Sequence, residues 1–216
     1  MAPFLIDLPP EGMSDRLGEA LRVYVAAMGY PPGTENQRAA MWLDHTRRRG
    51  WRAVAALEEP AEPTDAEHRP NGASTRLLGV AYGYSGAPDQ WWQQQVVLGF
   101  QRRGLPGSDI MRLMSSYFEL TELHVLPSAQ GSGLGEALAR RLLSGRPEAN
   151  VLLSTPEISG EGNRAWRLYR RLGFIDVIRG HQFAGDPRPF AILGRTLPLE
   201  QPCTASSASR PSGLAR

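Results

Sequence analysis

The segment LHVLPSAQGSGLGEAL, Leu123 to Leu138, places Gly131, Gly133 and Gly135 between an alternating apolar run and a helical pattern. Glycines at this spacing let the backbone come close to a ligand. Their amides, with those of Ser132, Leu134 and the first free N–H groups of the following helix, would form a cradle for a phosphate. A plain strand-to-helix turn would use the same residues. Two familiar glycine loops do not fit. The sixth position from Gly131 is Glu136, where a dinucleotide loop needs its third glycine for close helix packing. A P-loop needs a lysine, and all 24 basic residues are arginine. The same composition removes lysine Schiff bases and lysine general bases. GYSGA, residues 83 to 87, misses the nucleophile elbow at its last position. His45, His68 and His181 have no metal-ligand spacing, and the lone Cys203 lies in a polar tail, so no metal site is expected.

The elements that must hold the loop can be read from periodicity. At 216 residues and 41% hydrophobic content, one α/β domain over residues 1–200 is expected, with residues 201–216 a flexible tail by composition. APFLIDL reads as a strand, and a helix over about 14 to 29 follows, with Ser14 or Asp15 as N-cap. Thr34 opens a second helix, Gly50 stops it, and WRAVAAL is a strand. Residues 58–75 are acidic, proline-bearing and unpatterned, which suits a long hairpin loop before the returning strand RLLGVAYGYS. Residues 88–116 form an insertion in which DQWWQQQVVLGFQRRG fits a helix and LPGSDIMRLMSSY is loop-like. From Phe118 the order is strand, helix, strand, helix, strand, strand: FELTELHVL, GLGEALARRLLSGR, NVLLST, NRAWRLYRRLG, FIDVIRG and PFAILGRTL. Crossover helices require parallel neighbours, and the last two strands can close as an antiparallel pair, so the sheet is mixed.

Gln130-Gly131-Ser132-Gly133-Leu134-Gly135 fits Q/R-x-x-G-x-G/A, the acetyl-coenzyme-A loop of the GNAT family of N-acetyltransferases. LHVLP resembles that family's strand end before the loop, and NRAWRLYRRLGF resembles its A-x-x-L-Y-x-x-x-G-F helix. The resemblance covers residues 118 to 196. It implies a mixed, mostly antiparallel sheet splayed between two central parallel strands, here ending near Val125 and Ser154. In that gap acetyl-CoA, as co-substrate, would pair its pantetheine arm with backbone at Leu123, His124 and Val125. Its pyrophosphate would lie on the amides of Gly131 to Gly135, with Gln130, Ser132 and Leu134 in the same loop.

Acetyl transfer to an amine requires a neutral amine, stabilisation of charge on the acyl oxygen and a proton for the departing thiolate. Tyr169 matches the family's tyrosine, whose phenol would protonate the leaving sulfur; alternatively it is a packed aromatic. Strict alternation puts Glu119 on the face of Leu123 and Val125, and Glu122 with His124 on the other. Counted back from Gln130, Glu119 falls where the histone-acetyltransferase branch carries its glutamate base, and Glu122 where other branches carry theirs; each could equally be a solvated strand glutamate. A backbone N–H near Val125 or Leu126 is the candidate donor to the acyl oxygen. Asn163 is a helix N-cap or a cofactor contact, one residue closer to the tyrosine than the family's asparagine.

The resemblance therefore implies an acetyl-CoA-dependent N-acetyltransferase working by direct attack in a ternary complex on an amine-bearing small molecule or peptide. A CoA-binding module without turnover, or another acyl chain length, are the alternatives. Trp91 and Trp92 are core anchors, the lining of an acceptor pocket, or part of a lid or homodimer contact. Residues 1–200 balance 22 acids against 22 arginines, the net charge of +2 coming from Arg210 and Arg216, so no nucleic-acid partner is expected. No run approaches the ~18 apolar residues of a membrane span, and no basic leader opens the chain, so a cytoplasmic protein without membrane contact is expected.

Overall fold

The computed structural model describes residues 3–58, 75–158 and 162–199. The body of the expected 58–75 loop and the tail 201–216 lie outside these. Strand β1 (Phe4–Leu8) leads into α1 (Pro10–Asp15), α2 (Leu17–Met28) and α3 (Thr34–His45), followed by β2 (Arg52–Leu57) and β3 (Leu77–Ser85). Between β3 and β4 come α4 (Trp91–Arg102) and α5 (Gly107–Met114). Then come β4 (Tyr117–Val125), a 3-10 turn at Pro127–Ala129, α6 (Leu134–Leu143), β5 (Asn150–Pro156), α7 (Arg164–Arg171), β6 (Ile175–His181) and β7 (Phe190–Thr196).

Several local expectations are corrected. The helix read over 14–29 is two: Pro10 opens α1, Arg16 at φ −102° breaks the helical path, and α2 ends on left-handed Gly29. Ser14 therefore lies inside α1, its hydroxyl donating to the Pro10 carbonyl, and caps nothing. Gly33, left-handed at φ 95°, precedes α3 in place of Thr34, whose hydroxyl turns back to Pro31. That helix ends at His45, short of Gly50. LPGSDIMRLMSSY is not a loop, since Ile110 and Met114 share a buried cluster with Val96 and Phe100 of α4 and so fix α5 by packing where local pattern was weak.

The strands form one seven-stranded sheet in the order β1-β2-β3-β4-β5-β7-β6, antiparallel except for β4 and β5. One face is covered by α6 and α7 over an apolar cluster that includes Val54, Ala81, Phe118, Leu120, Val151 and Leu153. On the other, α1 to α3 cover the β1–β3 half, and α4 and α5 cover the β5–β7–β6 half around Tyr117, Leu152, Ile178 and Ile192. Trp92 is a core residue there, beside Tyr117, while Trp91 is half exposed against Phe183.

Two irregularities position the site. The β4–β5 ladder comprises Tyr117↔Asn150, Phe118↔Val151 and Glu119↔Leu152, after which both strands run on unpaired with each other. The register of β3 against β4 also shifts between Tyr82↔Glu122 and Gly83↔Leu120, so Thr121 is the extra residue of a bulge. Gly83 is required opposite it, because a Cβ there would collide with the Glu119 carbonyl.

Candidate active site

The bulge overturns the alternation expected for β4. Glu119 pairs with Tyr84, and Glu122 and His124 pair with Tyr82 and Val80, so all three point to the face covered by α2 and α3. Phe118, Leu120 and Val125 belong to the opposite cluster, with Leu123 packed at its margin. Glu119 therefore does not share the face of Leu123 and Val125, because one inserted residue reverses parity along the strand.

On that face an aromatic shell surrounds the ionisable groups. His124 Nε2 lies 2.5 Å from Glu122 Oε2, stacks over Trp42 and meets the edge of Tyr24 at 5.0 Å between centroids. Both side chains of the pair keep some exposure, 10% and 15%. Glu119 is buried. The Tyr84 hydroxyl donates to its Oε1 at 3.2 Å, and Oε2 has no hydrogen-bond partner. Burial pushes the Glu119 carboxyl up to about 8, a rise that Tyr84 and the Arg48 guanidinium oppose and the charge of Glu122 reinforces. Arg48 lies over the Tyr84 ring at 4.6 Å. His45 faces the Tyr82 hydroxyl at 3.0 Å, and burial holds its imidazole down to about 4, uncharged at neutral pH.

The open edge of β4 is bounded by its own hydrogen bonds. The Leu126 N–H donates to Leu78 of β3, which removes it as a donor to the acyl oxygen. The Val125 carbonyl accepts from Gln130 Nε2 at 2.9 Å, so Val125 faces away from β3 and its N–H points to the open edge. Leu123, two residues back, presents its amide to the same edge. Tyr169 of α7 is buried beside Phe174, and its hydroxyl has no hydrogen-bond partner among the described residues. Burial, then the Glu122 carboxylate, push its pKa well above the usual phenol value.

At the mouth of the gap, Gly131 and Gly133 take positive φ of 90° and 87°, with open space where side chains would be. Helix α6 starts after Gly133 with no side chain capping its amides. Glu136, in its first turn, is drawn along the helix to Arg140 at 2.9 Å and towards Arg171 at 3.6 Å. Ser132 donates to the Ala129 carbonyl, and Gln130 braces the loop on Val125, itself held by Arg164 at 3.1 Å. Gly135 lies inside α6, where a Cβ would press on Leu168 at 3.2 Å. The Asn163 side-chain oxygen caps α7, accepting from the Trp166 N–H at 2.9 Å.

No family model matches this chain. Over 206 residues it is 70% identical to the GCN5-like protein acetyltransferase Rv2170 of Mycobacterium tuberculosis, a match spanning 92% of this chain and 100% of that protein. The chain belongs to the GNAT family of acetyltransferases. A GNAT-family acetyltransferase from Bacillus cereus superimposes with a TM-score of 0.54 at 14% identity, over 91% of this chain and 98% of that one. Arabidopsis thaliana NAA60, solved with acetyl-CoA, gives 0.56 at 17%, over 91% and 99%. These two share the fold.

This GNAT enzyme transfers an acetyl group from acetyl-CoA to an amine, and its residues fit that co-substrate. The loop amides are open, the acid nearest them is turned aside, and the edge of β4 beyond the ladder is bare. Among the described residues no group of three or more His, Cys, Asp or Glu is placed to hold a metal ion, and no helix is long and apolar enough to cross a membrane. Sequence reading missed Arg164, Tyr84, Arg48 and the Trp42–Tyr24 ring pair. Arg164 stands beside Asn163 at a helix start and Arg48 in a run of three arginines, neither of which marks one residue out; Tyr84, Trp42 and Tyr24 sit in helical or alternating patterns that read as core.

Proposed function

We propose that this acetyltransferase modifies an amine on another protein, by direct attack within a ternary complex, with Glu119 as the base. The relative at 70% identity is named a protein acetyltransferase, which supports a protein acceptor. One observation carries the mechanism: a gap between β4 and β5 with bare amides at its mouth on one side and a buried, half-satisfied carboxylate on the other.

Amides of Gly131 to Gly135 and the start of α6, with Arg164 beside them, hold the phosphates. Backbone at Leu123 and Val125 lines up the pantetheine arm as an added strand. Acetyl-CoA supplies an acyl carbon activated as a thioester. The Val125 N–H donates to its oxygen, where negative charge develops. Glu119, its Oε2 unpartnered, takes the amine proton through water, and a base titrating at about 8 suits work near that pH. Glu122 and His124, more accessible, stand between the acceptor and Glu119 and position that water. Tyr169 keeps its proton across the working range and gives it to the departing sulfur.

The test is the pH dependence of kcat/KM for a lysine peptide, read by CoA release and peptide mass. Wild type should rise through about pH 8. Glu119→Gln should lower kcat by about 10²–10³ and flatten that rise, whereas Glu122→Gln should lower the rate and keep it. Tyr169→Phe should lower kcat about tenfold or more with acetyl-CoA affinity retained. A Glu119→Gln enzyme with wild-type rate and profile would remove Glu119 from the mechanism.

A further inference from the structure

Outward from His124 the acceptor side is built as a row of rings that ends in charge. Tyr24 of α2 meets the rings of His124 and Trp42 edge-on, and on its way outward meets Tyr30, at 5.5 Å between centroids. The Tyr30 hydroxyl accepts from Arg188 Nη1 at 3.3 Å, so the turn between α2 and α3 touches the turn between β6 and β7. Arg188 is clamped on Asp186, down to 2.6 Å. Arg38 of α3 lies over the Tyr24 ring at 5.9 Å, and its side-chain hydrogen bond is a long one to the Met41 sulfur.

Arg38 has no carboxylate partner among the described residues. Its charge helps to lower the Asp186 carboxyl and, with Arg48, the His45 imidazole. The nearby acids are taken: Asp186 by Arg188 and Glu35 by the Gly33 amide. A half-buried guanidinium 5.9 Å from an aromatic ring centre, one ring away from the Glu122–His124 pair, can receive an anion. Arginine at such a site binds carboxylate through two parallel N–H donors.

We infer that Arg38 is a specificity-determining residue that selects protein acceptors carrying a carboxylate next to the acetylated amine. This rests on the protein-acceptor reading above. The acceptor amine would reach Glu122 and His124, and a neighbouring aspartate or glutamate would meet Arg38.

The experiment compares three lysine peptides, identical except for glutamate, alanine or arginine on both sides of the lysine. The glutamate peptide should exceed the alanine peptide about tenfold in kcat/KM, mostly through KM, and the arginine peptide should be poorest. Arg38→Gln should abolish the difference between glutamate and alanine peptides, and Arg38→Glu should reverse the order in favour of arginine. The KM for acetyl-CoA, measured on each variant, reports that the fold and the cofactor side are intact. Equal use of the three peptides, or an unchanged preference in Arg38→Gln, would overturn the inference and leave the protein-acceptor reading standing. Acetylation of none of them by wild type would overturn both.

Discussion

Helices α3 and α6 start in the same way and are used in opposite ways. Each follows a left-handed glycine, Gly33 at φ 95° and Gly133 at φ 87°, and neither has a side-chain N-cap on that residue. At α3, Glu35 folds back and accepts from the Gly33 N–H at 2.6 Å, so the positive end is neutralised from within. At α6 the first-turn acid, Glu136, is held away by Arg140 and Arg171, and the amides stay open. A helix start becomes an anion site when its own acids are given something else to bind. Glu119 is a third case: it is buried with the Tyr84 hydroxyl as its hydrogen-bond donor, and burial keeps it protonated up to about pH 8.

The largest effect should come from that third carboxylate. Its folded-state pKa is raised from 4.5 to about 8, so the folded protein holds the proton more tightly and loses stability as pH climbs through that window. Glu119→Gln lacks this loss. Its advantage in thermal melts should grow from pH 5 to 8 and then level off, reaching on the order of 5 kcal/mol. A constant difference between the two proteins would show that Glu119 ionises normally.

Next, Gly135→Glu puts an acid at α6 two residues after the left-handed glycine, the spacing Glu35 has at α3. Acetyl-CoA affinity by calorimetry should fall about 100-fold, roughly 2.7 kcal/mol. Gly135→Ala, which makes the same contact with Leu168, isolates the part due to packing. Should the two variants bind alike, charge at the helix start is irrelevant.

Removing both arginines, Arg140→Ala with Arg171→Ala, releases Glu136 towards its own helix end. Affinity should drop about threefold to tenfold, and the loss should shrink in high salt. The smallest effect is at α3. Glu35→Ala should lower stability by about 0.5–1 kcal/mol and leave acetyl-CoA binding unchanged. A change in binding there would mean the two helix starts are not independent.

Much of this arrangement is written in the sequence, and the gaps have physical reasons. From Phe118 onward strands and helices follow from alternation and helical spacing, and the glycine loop with its tyrosine helix carries the family resemblance. The face of Glu119 is read wrongly because alternation assumes an unbroken ladder. The apolar residues Phe118, Leu120, Leu123 and Val125 do hold the signal: their steps are two, three and two, and the step of three is the bulge. Helix α5 escapes notice because Pro106 and Gly107 open it and its stability comes from α4. The divergence of β4 from β5 and the lone Arg38 depend on elements distant in sequence, which no local pattern reports.

Thr121 has a consequence for how such a centre arises. The residue contributes bulk to neither apolar cluster, yet it sets the phase of everything upstream of it on β4. Deleting it would restore a regular ladder and swing Glu119 into the oily layer beneath α6, leaving every reactive side chain in the gene and none of them assembled. A protein can thus gain or lose its chemistry by a frame-preserving indel of one codon, at a position whose own side chain reacts with nothing.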